Sequence, residues 1–235
     1  MSWLPIICQN TTEPPPSWED LGGLSGELPE CPYHGLSAFG EKDADFFFGR
    51  EKFIADLVEA VNSKPLVPVV GASGSGKSSV VFAGLIPRLR SVRNVGIVSF
   101  RPGKNPFDAM AIALSKYCKS LVQGQTKASG ETASRLAELE FEVNLRHDEK
   151  VLCYFLENII NSSGYQRLVL VADQFEELYT LAAQEERYSF LNVLLLAVKS
   201  IPGLTLVLTL RADFLGIVLD YQPMGKALQN TLHCY

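Results

Sequence analysis

The stretch VVGASGSGKSSVV, Val69 to Val81, constrains this chain more than any other part of it. An apolar run precedes it, helix-forming residues follow, and Gly71 to Ser78 spell G-x-x-x-x-G-K-[ST]. Gly71, Gly74 and Gly76 are free to take positive φ, which lets the N–H groups of Gly71-Ala72-Ser73-Gly74-Ser75-Gly76 turn inward around an anion. Lys77 supplies a point charge for β- and γ-phosphates. Ser78 supplies a hydroxyl for Mg2+, with Ser79 next to it, and the following helix directs its positive end at the same place. Chance gives such a match in on the order of one in a hundred chains of this length, and the strand–loop–helix setting lowers that further. The loop reads as a nucleotide-phosphate site.

The rest of the pattern alternates strand and helix. Phe53, Ile54, Leu57, Val58 and Val61 form one helical stripe, and Leu66 to Val70 is a buried strand leading into the loop. A helix starts at about Lys77, and Pro87 is expected to end or kink it near Ile86. Val95 to Phe100 is a second strand. Asn105 and Pro106 then open a helix whose apolar face is Phe107, Met110, Ala111, Leu114, Tyr117 and Leu121. Residues 123–134 read as a polar loop, and Val151, Leu152, Phe155, Leu156, Ile159 and Ile160 as a helix. Leu168 to Ala172 is a strand, 184–199 a helix and Leu204 to Leu210 a strong strand. Strands apolar on both faces between helices indicate an α/β fold, a mostly parallel sheet sandwiched by helices. Pro68 sits awkwardly, because it removes a ladder donor from a strand that should be central. Residues 1–30, rich in Pro, Gly, Ser and acids, read as a poorly ordered segment, and 31–235 as the domain.

Charge and cysteine usage narrow the partners. The chain carries 26 acidic and 21 basic residues, a formal charge of −5, which argues against a large nucleic-acid footprint built on Lys and Arg. The five cysteines lack C-x-x-C spacing, so free thiols are expected rather than a disulfide framework or zinc. His34, His147 and His233 are isolated from one another. The first residues lack a basic segment and a cleavage-like site, and no apolar run is long enough to span a membrane. A soluble cytoplasmic protein is the expectation.

Two further strands end in chemistry. LVLVADQFEEL, Leu168 to Leu178, delivers Asp173 to the edge where the glycine loop sits, as a Mg2+-ordering carboxylate requires. Glu176 and Glu177 follow. Either one can orient a water, and both also suit the first turn of a helix. LVLTLRADF, Leu206 to Phe214, ends in Arg211, which in isolation reads as a solvated strand-end arginine with Asp213 capping the next helix. DADFFFGREKF, Asp43 to Phe53, reads alone as an aromatic core segment before a helix start.

In this order the segments CPYHGLSAFGEKDADFFFGRE, PLVPVVGASGSGKSSVVFAGLIPRLR, VADQFEEL and LTLRADFLG resemble the STAND NTPases, and more narrowly the bacterial novel STAND group, often joined to WD-type propellers or other repeats. The likeness runs from Cys31 to about Gln229. It implies a P-loop NTPase three-layer α/β/α sandwich of the class with an additional strand between the two Walker strands. The 96-residue gap from Lys77 to Asp173, with Val95 to Phe100 inside it, fits that class. By resemblance Arg50 lies near the adenine side, and Lys77 and Ser78 take the Walker A roles. Asp173 takes the Walker B role, Glu176 positions water, and Arg211 becomes a sensor-like arginine. The implied activity is an ATP- and Mg2+-dependent signalling switch with slow hydrolysis. Its implied partners are proteins or repeats fused downstream, or further copies of itself in a nucleotide-dependent oligomer. Two alternatives stay open: an AAA+-like ATPase acting on nucleic acid, and a module that binds nucleotide without turnover. The resemblance also leads one to expect a fifth core strand and a lid after GKALQN. The chain stops soon after, so both are expected to be missing, with weak nucleotide binding and little hydrolysis.

Overall fold

The strands that the sequence marks as apolar on both faces are buried on both. In the computed structural model the described residues are 38–92, 94–122, 131–229 and 233–234, all within one unit, His34–Tyr235. The expectation for residues 1–30 and the polar loop over 123–130 lie outside them.

A 3-10 turn, Glu41–Phe46, leads to α1, Glu51–Ser63, and β1, Leu66–Gly71. The helix after the glycine loop has three parts: α2, Lys77–Ser79, a π-helical stretch, Val80–Leu85, and α3, Ile86–Ser91. Then come β2, Val95–Phe100; α4, Pro106–Val122; α5, Glu131–His147; α6, Lys150–Ser163; and β3, Arg167–Ala172. Next are α7, Glu177–Thr180; α8, Gln184–Ser200; and β4, Leu204–Arg211. A 3-10 turn, Ala212–Phe214, precedes α9, Leu215–Asp220, α10, Gln222–Leu228, and β5, His233–Cys234.

The five strands pair in the order β2-β3-β4-β1-β5, every pair parallel. Alternate side chains feed two cores. Val67, Val69, Ile97, Val169, Val171 and Val207 pack with α1 and the helix behind the glycine loop. Leu66, Val70, Val98, Leu168, Leu170, Leu206, Leu208 and Leu210 pack with the helices of the other layer, through Phe107, Leu152, Phe190 and Leu194. The architecture is therefore three layers, α/β/α.

Several expectations change here. The additional strand expected between the two Walker strands is there, since β4 lies between β1 and β3, but Val95–Phe100, which intervenes in sequence, is not that strand and forms the outer edge beside β3. The sheet position expected to be unfilled carries β5, whose His233 and Cys234 pair with Val69 and Val70. Pro87 does not end its helix, which runs on to Ser91. The wide π turns immediately before it are where the helix accommodates a residue with no N–H to give and a bulky ring. Residues 131–134 belong to α5 rather than to a loop. Of the aromatic segment, Phe47 packs on the core while Phe46 and Phe48 are exposed.

Pro68 costs less than its central position suggests. Leu206 donates its N–H to the Pro65 carbonyl, so by parallel-sheet alternation Val67 and Val69 bond to β4. Pro68 then presents its missing donor toward β5, which pairs opposite Val69 and Val70 instead. Gly84 has a different duty. A Cβ there would lie 2.6 Å from Ile54 Cδ1 and 3.5 Å from a Phe47 ring carbon, so only glycine lets α1 lie this close to the π turn.

Candidate functional site

Parallel strands bring all their C-terminal ends to one edge of a sheet, and four such ends converge here. β1 runs into the glycine loop, β2 ends before Arg101, β3 before Asp173, and β4 in Arg211, which pairs in register with Gly71. The loop takes left-handed backbone at Gly74 (φ 72°) and Gly76 (φ 90°) but not at Gly71, which is still strand. Around Gly74 the space a Cβ would occupy is open, so the backbone itself faces out. The Ser75 hydroxyl oxygen is buried with no protein partner, a polar atom that a phosphate oxygen or water would satisfy.

Lys77 is buried and folds its ammonium onto the loop, donating to the carbonyls of Gly71 (3.1 Å) and Ala72 (2.7 Å). Burial holds its pKa below the usual lysine range. The Glu176 charge acts against that, and Arg211 acts with it. Lys77, Glu176 and Arg211 thus share one electrostatic neighbourhood.

Asp173 is the centre of the polar network. Its carboxylate is fully buried, and Oδ1 accepts from Ser78 Oγ at 2.7 Å and from Thr209 Oγ1 at 2.8 Å. Oδ2 accepts from Arg101, whose Nε and Nη2 both lie 3.1 Å away. Thr209 also accepts the N–H of Gln174 at 2.8 Å, and the Thr209 carbonyl accepts the N–H of Phe175 at 2.9 Å. These bonds hold Gln174 at φ 54°, a left-handed conformation costing a non-glycine residue about 1–2 kcal/mol. The turn that strains Gln174 is the turn that aims Asp173 at Ser78.

The two glutamates point different ways. Glu176 Oε2 accepts the backbone N–H of Arg211 at 3.3 Å, between the ends of β3 and β4. Glu177 opens α7, and its Oε2 lies 4.0 Å from where a Gly103 Cβ would be, on the β2 side. Arg211 grips Asp213 with Nε (3.1 Å) and Nη2 (2.6 Å), and its guanidinium sits 5.3 Å from the Phe214 ring centre. Asp213 is thus the arginine's anchor rather than a helix cap, and the pair holds the carboxyl below its ordinary value.

Not every residue singled out from the sequence converges. Ser79 turns its hydroxyl to accept the Phe39 N–H at 3.1 Å, tying the segment before α1 to the loop helix. Arg50 is exposed at the start of α1, whose Glu51 carbonyl accepts from Arg88 in α3, a position farther along the helix from the loop. Ala72 and Ser73 are exposed at the loop tip. Arg101 and Thr209 were missed. Arg101 directly follows a strand, the same position that drew attention to Asp173, and Thr209 is the one polar residue in the run Leu206 to Leu210.

The donor set suits a hard cation and a polyphosphate. Ser78 Oγ and the Asp173 carboxylate could serve as oxygen ligands, and Mg2+ would take the remainder of its shell from phosphate and water. Among the described residues no group of three or more His, Cys, Asp and Glu could hold a metal by itself. A cleft of about 320 Å3 opens at the opposite edge of the sheet. There Arg167 bonds the carbonyls of Val61 and Asn62 at the end of α1 and the hydroxyl of Thr205, a strut between layers rather than a site. No described helix is long and apolar enough to cross a membrane.

A model of the novel STAND NTPase 1 family matches residues 32–234. Among solved structures, the Walker-type ATPase paby2304 of Pyrococcus abyssi is similar, with 17% identity and a TM-score of 0.48 over 83% of this chain and 51% of that one. This chain therefore spans about half the length of that structure. No curated protein matches it.

Proposed function

The chain belongs to the novel STAND NTPases, and we propose that it is an ATP-binding, Mg2+-dependent module in which nucleotide works a switch and hydrolysis is slow. The observation that carries this reading is the bond from Ser78 Oγ to Asp173 Oδ1, 2.7 Å long across 95 residues of sequence. It joins the end of the phosphate loop to a buried carboxylate at a strand end, the pair of oxygens that orders Mg2+ on a bound triphosphate.

In this reading the loop N–H groups from Gly71 to Gly76 and Lys77 hold the phosphates, and Ser78 and Asp173 would hold the metal, which when bound would supply positive charge against the phosphate oxygens. Glu176 lies in the Lys77–Arg211 neighbourhood and positions water. Arg211 reports the γ-phosphate: its backbone N–H is tied to Glu176, and its side chain rests on the exposed carboxylate of Asp213. The output passes to protein partners or to repeat domains of the same polypeptide.

Calorimetry with ATP and ADP tests the reading. Lys77→Ala should weaken binding by about 1.5–3 kcal/mol, the worth of one charge-assisted contact, with the fold intact. Glu176→Gln should keep binding and suppress turnover, since a water-positioning group acts in the transition state. Unchanged affinity in Lys77→Ala rejects the site, and loss of turnover in Glu177→Gln alone moves the water-positioning role to Glu177.

A further inference from the structure

The Asp173 carboxylate divides its two oxygens between two kinds of partner. Oδ1 belongs to hydroxyls, those of Ser78 and Thr209, which can keep donating to it while a metal sits on Ser78's lone pairs. Oδ2 belongs to a cation: Arg101 places two nitrogens on it, each 3.1 Å away. A fully buried carboxylate needs a counter-charge close by, and Arg101 supplies it from the end of β2. The arginine is not itself locked in, because 56% of its side-chain surface is exposed. It lies where β2 gives way to the turn carrying Gly103 at φ 57°.

Resting on the reading of this site as a Mg2+–nucleotide site, we propose that Arg101 is a built-in competitor for the metal at Asp173 and so sets the Mg2+ concentration at which the site takes nucleotide. Mg2+ requires near-octahedral oxygen ligands at about 2.0–2.1 Å, and it cannot share a carboxylate edge with a guanidinium without strong repulsion. Metal entry therefore moves Arg101 off Oδ2 into the solvent its side chain already reaches. Asp173 exchanges one cation for another, and the position of Arg101 records which one it holds. The role is that of a positioning residue, since it acts on the metal through Asp173.

Two measurements on the full chain test this. In the first, ADP binding is followed by calorimetry across a series of MgCl2 concentrations. Arg101→Gln should lower the half-saturating Mg2+ concentration by about three- to tenfold, the effect of removing one half-exposed charged competitor. Its ADP affinity in EDTA should stay that of wild type. Arg101→Lys keeps the charge but not the forked contact and should fall between the two; if the Gln variant does not fold, the Lys variant alone must shift in the same direction. The second uses Mn2+ without nucleotide, read by electron paramagnetic resonance, where Arg101→Gln should bind Mn2+ more tightly than wild type. A Mg2+ requirement equal to or above wild type, or ADP affinity lost in EDTA, overturns the proposal, the latter making Arg101 a phosphate contact. Equal Mn2+ binding, or none in either protein, overturns it too. Failure of wild-type protein to bind ADP at any Mg2+ concentration rejects the nucleotide reading itself, and the Mn2+ measurement still decides whether Arg101 competes.

Discussion

Thr209→Val isolates the polar network beneath the site with almost no change of shape. Thr209 is 1% exposed and performs two tasks with one oxygen, donating to Asp173 Oδ1 at 2.8 Å and accepting from Gln174 N at 2.8 Å. Valine fills the same volume and makes neither bond. Loss of the charge-assisted bond to the carboxylate costs about 2 kcal/mol, and the orphaned Gln174 N–H adds about 1 kcal/mol or more. The total of about 3 kcal/mol is a large share of the about 5–15 kcal/mol that keeps a domain folded. At about 2–4 °C per kcal/mol for a domain of this size, the melting temperature should fall by about 6–12 °C. Thr209→Ser keeps both bonds and loses one buried methyl, so it should cost only about 1 kcal/mol. Thermal and urea unfolding of the three proteins, with the urea m-value unchanged, reads the difference. A valine variant as stable as wild type, or a serine variant less stable than the valine one, would refute the argument that the hydroxyl rather than packing holds this turn.

Gly84→Ala should destabilise by about 1–3 kcal/mol, because the new methyl meets Ile54 Cδ1 at 2.6 Å, and Ile54→Val should recover part of that in the double variant; chemical denaturation of the four proteins checks it. Burial pushes the thiols of Cys118 and Cys153 up, so iodoacetamide should label both slowly at pH 7.5 and faster at pH 9, which peptide mass spectrometry would show.

Legibility in the sequence followed physical cause. β1, β3 and β4 were readable to within a residue because strands buried on both faces read as near-continuous apolar runs, broken inside β4 only by the β-favouring Thr205 and Thr209. α5 was not readable. Its apolar residues Leu139, Phe141, Val143 and Leu145 fall two apart, a strand period, while good helix formers set the helix; only Phe141 and Leu145 face the core, and Leu136, Leu139 and Val143 are exposed. Pro87 did not end its helix, because the chain used π turns before it to take up the ring. In the candidate site, motif and strand end singled out Lys77, Ser78 and Asp173, which the structure brings to one edge of the sheet. Thr209 looked like one more strand residue, since nothing local says that its hydroxyl serves a carboxylate 36 residues earlier.

The polar network also bears on how the proposed switch would work. Three cations face the sheet edge, and each has a protein partner of a different kind. Lys77 rests on two neutral carbonyls, Arg101 on a buried carboxylate and Arg211 on a surface carboxylate. In the proposed site, moving Lys77 from carbonyls to phosphate would exchange neutral acceptors for charged ones, and charge-assisted bonds are roughly twice as strong, so this exchange would drive binding. Moving either arginine exchanges one anionic partner for another environment at little net gain. Groups of that kind add little affinity, but their positions depend steeply on what occupies the site. In the proposed switch, affinity therefore belongs to the glycine loop and Lys77, while Arg101 and Arg211 turn occupancy into a change of contacts at the ends of β2 and β4. A ligand shifts a conformational balance only by its difference in affinity for the two arrangements; in the proposed switch that difference would be small at two arginines whose side chains already reach solvent, small enough to be reversed by loss of one phosphate.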